Sequence, residues 1–113
     1  MSKHEFRIER RPKAKGRPRA TKTGHVYTDK STREYETAVA EAYQSSNGPR
    51  FDGPVQITLN VYSNYADVTI ESIDNESKLR GDLDNYIKSI LDGLNKVAYL
   101  DDKQVYAIKA NKR

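Results

Sequence analysis

Between Gly81 and Gln104 the chain sets out four aspartates and a lysine in an order that can act on an anionic substrate: Asp82, Asp84, Lys88, then Asp101 and Asp102. Carboxylates are hard oxygen donors, and two or three of them, with retained waters and substrate phosphate oxygens, form a natural Mg²⁺ site. A cation held there generates hydroxide and stabilises the charge that builds on a phosphodiester during in-line attack. The Lys88 ammonium can add positive charge at the phosphate or at the leaving oxygen. The same residues also have an ordinary structural account. Asp82 is a good N-cap, and Asp84 falls in a first helical turn, where the macrodipole favours a carboxylate. Lys88 can pair with Asp84 or Asp92, each one turn away, and an Asp-Asp pair in a turn needs no function. His4 and His25 do not make a zinc pattern, since the chain has no cysteine and no HxxxH-like spacing.

The elements that must position these groups can be read from periodicity. Leu83, Ile87, Ile90, Leu91, Leu94 and Val97 recur at helical spacing, which predicts a helix from Asp82 or Leu83 to about Val97. Asp84, Lys88 and Asp92 then form a charged row at i, i+4 and i+8. A tight connection through Tyr99 and Leu100 leads to Asp101-Asp102, and Val105, Tyr106 and Ile108 suggest a final strand. Earlier in the chain, Phe6 and Ile8 alternate with Glu5, Arg7 and Glu9 as a short strand within His4 to Arg10. Two prolines and a glycine exclude a helix from Arg11 to Arg19, and the residues around Gly24 can form a short hairpin or extended segment. Ser31 and Glu34 have capping-box spacing, so a helix should run from about Thr32 to Ser45, with Tyr35 and Tyr43 facing the core, and stop at Ser46-Asn47-Gly48-Pro49. Pro54 opens a strand in which Val55, Ile57, Leu59 and Val61 should share a buried face. Between residues 63 and 80, Val68, Ile70 and Ile73 permit a short strand or hairpin, and Asp74 to Lys78 is loop-like.

With 113 residues the expectation is one domain, 1–113, with a single modest core. Hydrophobic residues make up 35% and charged ones 32%, so that core is thin, which favours oligomerisation. The absence of cysteine excludes disulfides and thiolate metal sites. No apolar h-region follows Met1 and no apolar run approaches membrane-spanning length, so a soluble cytoplasmic protein with no membrane partner is expected. The net charge of +4 is unevenly spread. Residues 1–33 carry eleven Lys/Arg against three Asp/Glu, and residues 34–113 carry nine against thirteen. The basic end can meet a polyanion while the acidic end holds cations. Lys13, Lys15, Arg17, Arg19 and Lys22, in a basic loop spanning 11–22, are the candidate phosphate contacts, joined by Arg80 just ahead of the aspartates. A solvated basic arm would look the same.

The run GDLDNYIKSILDGLNKVAYLDDKQV closely resembles the signature of RusA-type Holliday junction resolvases, small Mg²⁺-dependent endodeoxyribonucleases common in phages and prophages. The shared elements are D-x-D-N, a lysine four residues after the second Asp, I-L-D-G-L, an aromatic-containing turn and D-D-x-Q-V. Upstream, KGRPRATKTGHVYTDKSTREYE is similar to the N-terminal half of many members. The resemblance implies an α/β fold with a mixed β-sheet packed against two helices, a catalytic core at 81–105, and a homodimer that nicks opposing strands of a four-way junction symmetrically, in a bacterial cell or a phage-infected host. It assigns Asp82, Asp84 and Asp102 as the catalytic, metal-binding carboxylates and Lys88 as the essential lysine, with Mg²⁺ as cofactor and Mn²⁺ as a substitute. Asp92 and Asp101 match frequent family positions, and Gly81 stands where some members carry a basic residue. The alternatives are the same chemistry on forks or flaps, or a non-catalytic basic nucleic-acid-binding protein that stacks bases on exposed tyrosines.

Overall fold

A computed structural model describes residues 2–15, 19, 20, 24, 26, 27 and 29–113, without the side chains of 19, 20, 26 and 27. The chain forms two compact units, the first ending at Asp74 and the second running from Asn75 to Arg113.

The first unit is organised around β5 (Ala66–Ser72), which pairs antiparallel with β1 (Lys3–Ile8) on one side and with β4 (Val55–Val61) on the other. The register sets Phe6 and Leu59 opposite Val68, Ile8 and Val61 opposite Ala66, and His4 and Ile57 opposite Ile70. Because side chains alternate across a strand, these rows share one face. Helix α1 (Lys30–Ser45) covers the β1 side of that face. Ile8, Ala66 and Val68 are buried, with Phe6, Tyr35, Val39, Ala42 and Ile70 packed against them. Val55, Ile57, Leu59 and Val61, expected to be buried, instead lie exposed, between 37% and 65%. They project from the edge strand that α1 does not reach, so alternation correctly gave their common face but not what covers it. On the opposite face Arg7, paired in register with Asp67, donates Nε–H to Oδ1 at 2.7 Å and Nη2–H to Oδ2 at 3.2 Å. Its guanidinium lies 4.1 Å over the Tyr65 ring, which stacks on Tyr62 across the β4–β5 turn.

A separate antiparallel pair, β2 (Arg19–Ala20) and β3 (Val26–Tyr27), realises the expected hairpin around Gly24, whose φ of +87° requires glycine. The α/β class holds, as a three-stranded antiparallel sheet and two helices. The pairings within both sheets are antiparallel, where the resemblance implied a mixed sheet, and Asn95 and Tyr99 form an isolated parallel bridge.

The α1 start differs from the expected capping box. Asp29 occupies the N-cap and the helix begins at Lys30, so Ser31 lies inside the first turn and donates its hydroxyl to Asp29 Oδ2 at 2.6 Å. Glu34 approaches Lys30 Nζ at 3.9 Å instead of reaching back to cap. The far end stops where expected, through Ser46 and a left-handed Asn47. Tyr43 lies across Gly48, where any side chain would collide with its ring, and donates its hydroxyl to Pro49 O. His4 is a structural residue, with its ring edge-on to Tyr43 and Nε2 bonded to Ser46 Oγ at 2.8 Å. His25 lies outside the described residues.

In the second unit, α2 (Leu83–Leu94) ends three residues short of the expected Val97. Asn95 leaves helical geometry, and the amides of Val97 and Ala98 both donate back to Leu94 O. Lys96 takes φ +67°, which lets its amide donate to Tyr99 O at 2.7 Å. A left-handed non-glycine residue costs on the order of 1–2 kcal/mol, partly offset by the greater unfolded-chain freedom of glycine. Lys96→Gly should therefore raise the unfolding free energy by about 0.5 kcal/mol, measurable by urea titration. A drop would show that Lys96 is not strained. Leu83, Ile87 and Leu91 are half-buried, whereas Ile90, Leu94 and Val97 are exposed. The expected strand at Val105, Tyr106 and Ile108 does not form, since no strand among the described residues pairs with this segment, and Tyr106 is 94% exposed. The tail instead offers Lys112 O to Asn75 Nδ2 and Arg113 O to Ser77 Oγ. No helix among the described residues is long and apolar enough to cross a membrane.

Candidate active site

The start of α2 carries three of the four expected catalytic residues. Asp82 is its N-cap in extended backbone geometry, and the Asp82 carbonyl receives the amides of Asn85 and Tyr86. The Asp82 side chain makes no capping bond. Capping therefore does not account for this carboxylate, since a capping Asp would spend an oxygen on an N2 or N3 amide. Asp84 sits in the first turn and Lys88 one turn later, both exposed. Neither makes an ion pair within 4 Å with a described residue, and neither does Asp92, so the charged row at i, i+4 and i+8 is not locked into salt bridges. Asp82 and Asp84 thus stand at the helix N-terminus, in its positive field, and Lys88 follows one turn along at mid-helix, all three outside any ion pair with a described residue.

The chain enters this helix through a close approach. The Gly81 amide donates to the Tyr86 hydroxyl at 3.1 Å, and a Cβ on Gly81 would lie 2.9 Å from the Tyr86 ring. A basic side chain, as some family members carry there, would have to displace Tyr86. The Gly81–Tyr86 contact therefore fixes the direction in which the chain delivers Asp82.

Asp102 opens a 3-10 turn, Asp102–Gln104, that follows the α2 connection. Its Oδ1 is buried without a hydrogen-bond partner, a costly condition for a carboxylate oxygen unless something positive completes it. Asn95 Oδ1, at the end of α2, is orphaned in the same way. The Tyr99 hydroxyl donates to Leu91 O at 3.4 Å. Burial, and then the neighbouring Asp102 and Asp92 carboxylates, push its pKa above the usual tyrosine value, so Tyr99 stays a neutral donor beside Asp102.

Asp101 has a structural duty. Its Oδ1 accepts the Lys103 amide at 2.8 Å, while Gln104 Oε1 accepts the amides of Leu100 and Asp101 at 2.7 and 3.1 Å. This is a capping box that stiffens the turn holding Asp102. The sequence reading assigned Gln104 and Tyr99 no role. The D-x-x-Q spacing from Asp101 to Gln104 was the available signal for the first, and the aromatic-containing turn of the family signature was the signal for the second.

In chemistry, the donor set suits a hard divalent cation: unspent carboxylates at Asp82 and Asp84, and an orphaned carboxylate oxygen at Asp102. In position, the set is incomplete. Among the described residues no three His, Cys, Asp or Glu side chains gather closely enough to hold a metal ion. Asp82 and Asp84 lie at the N-terminal end of α2, whereas Asp102 neighbours Tyr99, whose hydroxyl meets Leu91 in the last turn. A helix of 12 residues separates those ends by roughly 18 Å.

Of the candidate phosphate contacts, Lys13, Lys15 and Arg80 are exposed. Lys15 Nζ pairs with Glu36 on α1 at 3.4 Å. Arg17, Lys22 and the Arg19 side chain lie outside the described residues.

Comparison with known proteins agrees with the family resemblance. The family model for endodeoxyribonuclease RusA matches residues 9–113. The chain is also similar to the uncharacterized protein YqaN of Bacillus subtilis (strain 168), with 29% identity over 121 residues covering 96% of this chain and 85% of that protein. No solved structure matches significantly. With a family match over nearly its whole length, the chain belongs to the RusA endodeoxyribonuclease family.

Proposed function

We propose that this RusA-family chain is a Mg²⁺-dependent endonuclease that resolves Holliday junctions by paired symmetric nicks, as a cytoplasmic homodimer acting in DNA recombination and repair. Its two units serve one catalytic domain. The observation that carries this reading is the start of α2, where Asp82, Asp84 and Lys88 are uncommitted to capping or ion pairing in a chain whose family is one of endodeoxyribonucleases. The helix dipole accounts for a carboxylate in the first turn but not for Lys88.

In this reading Asp82 and Asp84 would hold Mg²⁺, or Mn²⁺ in its place, and Asp102, which stands near the other end of α2, would have to come to them to supply the third carboxylate. When bound, the metal supplies an activated water and charge stabilisation at the scissile phosphodiester. The remaining work falls to the chain. Lys88 places a point charge at the phosphate or leaving oxygen. The Asp101–Gln104 capping box stiffens the turn that carries Asp102, and the Gly81–Tyr86 contact stiffens the backbone that leads into Asp82. Lys13, Lys15, Arg17, Arg19, Lys22 and Arg80 contact phosphates of the junction arms, an attraction that is independent of sequence.

The test is incubation of the protein with a labelled synthetic four-way junction, with and without Mg²⁺, beside linear duplex and the Asp82→Asn variant. Symmetric nicks in opposing strands that depend on metal and on Asp82, and that are absent from linear duplex, are expected. Binding without cutting under every metal tried would make this a DNA-binding protein without activity. Preferential cutting of forks or flaps would keep the chemistry and change the substrate.

A further inference from the structure

An open groove of about 460 Å³ lies in the first unit, lined by none of the residues given a catalytic or phosphate-binding role above. It is lined by Arg10, just beyond the end of β1, and by Lys30, Arg33, Glu34, Thr37, Ala38 and Glu41 along α1. We propose that this groove seats the sugar-phosphate backbone of the DNA substrate, with Arg10 and Arg33 binding its phosphates. The inference rests on the nuclease reading and extends the DNA surface beyond the basic loop.

Three observations support it. First, Arg10 and Arg33 come from different elements, are both exposed, and make no ion pair within 4 Å with a described residue. Guanidinium groups without a carboxylate partner are available for bidentate phosphate binding. Lys30 is held only loosely, 3.9 Å from Glu34, with its side chain 82% exposed. Second, α1 has no acidic residue in its first turn, so the N-cap Asp29 is the carboxylate nearest the positive end of its dipole, and Lys30 and Arg33 stand at that end with Arg10 beside them. Glu41 lies just over two turns beyond Arg33, which makes the far end of the groove anionic. Third, the Lys15–Glu36 pair draws the Arg11–Lys15 segment to α1 one turn from Arg33. Arg11, Lys13 and Lys15 are exposed there, so cations continue from the groove along the chain that leaves it. An open groove with cations spread along it suits a polymer backbone better than a small anion, which would be enclosed.

The test is fluorescence anisotropy of a labelled four-way junction in the absence of divalent metal, across a range of KCl concentrations. For the Arg10→Gln/Arg33→Gln double variant, binding should weaken at least about tenfold. The slope of log affinity against log salt should fall by about two, roughly 0.9 for each phosphate left without its arginine. Arg10→Lys/Arg33→Lys should largely retain the slope, and Glu41→Gln should tighten binding. An unchanged slope in the glutamine variant, with junction cleavage intact, would overturn the groove and leave the nuclease reading standing. Equal losses in the glutamine and lysine variants would also overturn it, because charge would not be the cause. If the unsubstituted protein bound no DNA, both readings would fall together.

Discussion

Asp84→Asn is expected to reduce junction cleavage by on the order of a thousandfold while leaving junction binding unchanged or tighter. The size follows from the transition state, where the loss of one preorganised electrostatic group costs about 10²–10³ in rate. The binding result follows from removing a negative charge near phosphate. The fold should tolerate the change, because Asp84 is exposed and unpaired and contributes only its interaction with the helix dipole, about 0.3–1 kcal/mol. Single-turnover cleavage and anisotropy on the same junction give both quantities. If binding falls together with cleavage, Asp84 belongs to the DNA surface and not to the chemistry.

Ile8→Ala should be the most damaging core substitution. Ile8 is 4% exposed and, with Ala66 and Val68, completes the set of buried hydrophobic residues among those described. Large-to-small changes at such sites cost about 2–5 kcal/mol, a large share of the roughly 5–15 kcal/mol that holds a domain together. Leu59→Ala serves as the comparison. Leu59 lies on the same sheet face, opposite Val68, but is 58% exposed, so its truncation should cost less than about 1 kcal/mol. Urea titrations of the two variants at several protein concentrations check both expectations. A Leu59→Ala cost that rises towards that of Ile8→Ala with concentration would show that a second copy covers the β4 face.

Much of this arrangement was legible in the sequence because it depends on local pattern. The alternation in β4, the α2 stripe and the breakers after Ser45 each specify an element through nearest-neighbour geometry. What could not be read depends on distant partners. The alternation placed Val55, Ile57, Leu59 and Val61 on one face, yet only the reach of α1 decides that they are exposed. Ser31 satisfied a capping pattern that Asp29, two residues earlier, pre-empted. Tyr106 and Ile108 suit a strand, but a strand needs a neighbour and none pairs with them. At the candidate site, the spacing of Asp82, Asp84 and Lys88 was apparent in advance. Their freedom from structural bonds, and the position of Asp102 near the other end of the helix, were not.

The register of β1 bears on the order in which the sheet can assemble. Val61 faces Ala66 across a four-residue turn closed by the Tyr62 amide on Tyr65 O, so the β4–β5 hairpin can form from neighbours in the chain. Lys3, by contrast, faces Glu71, and Ile8 faces Ala66. The strand made first during synthesis must wait for the one made last, and its docking carries the loop-closure entropy of nearly the whole unit. Until then Phe6 and Ile8 have no sheet to pack on, and α1 lacks the surface it covers. The hairpin is therefore the natural nucleus, and β1 the late step that commits the first unit to its native state.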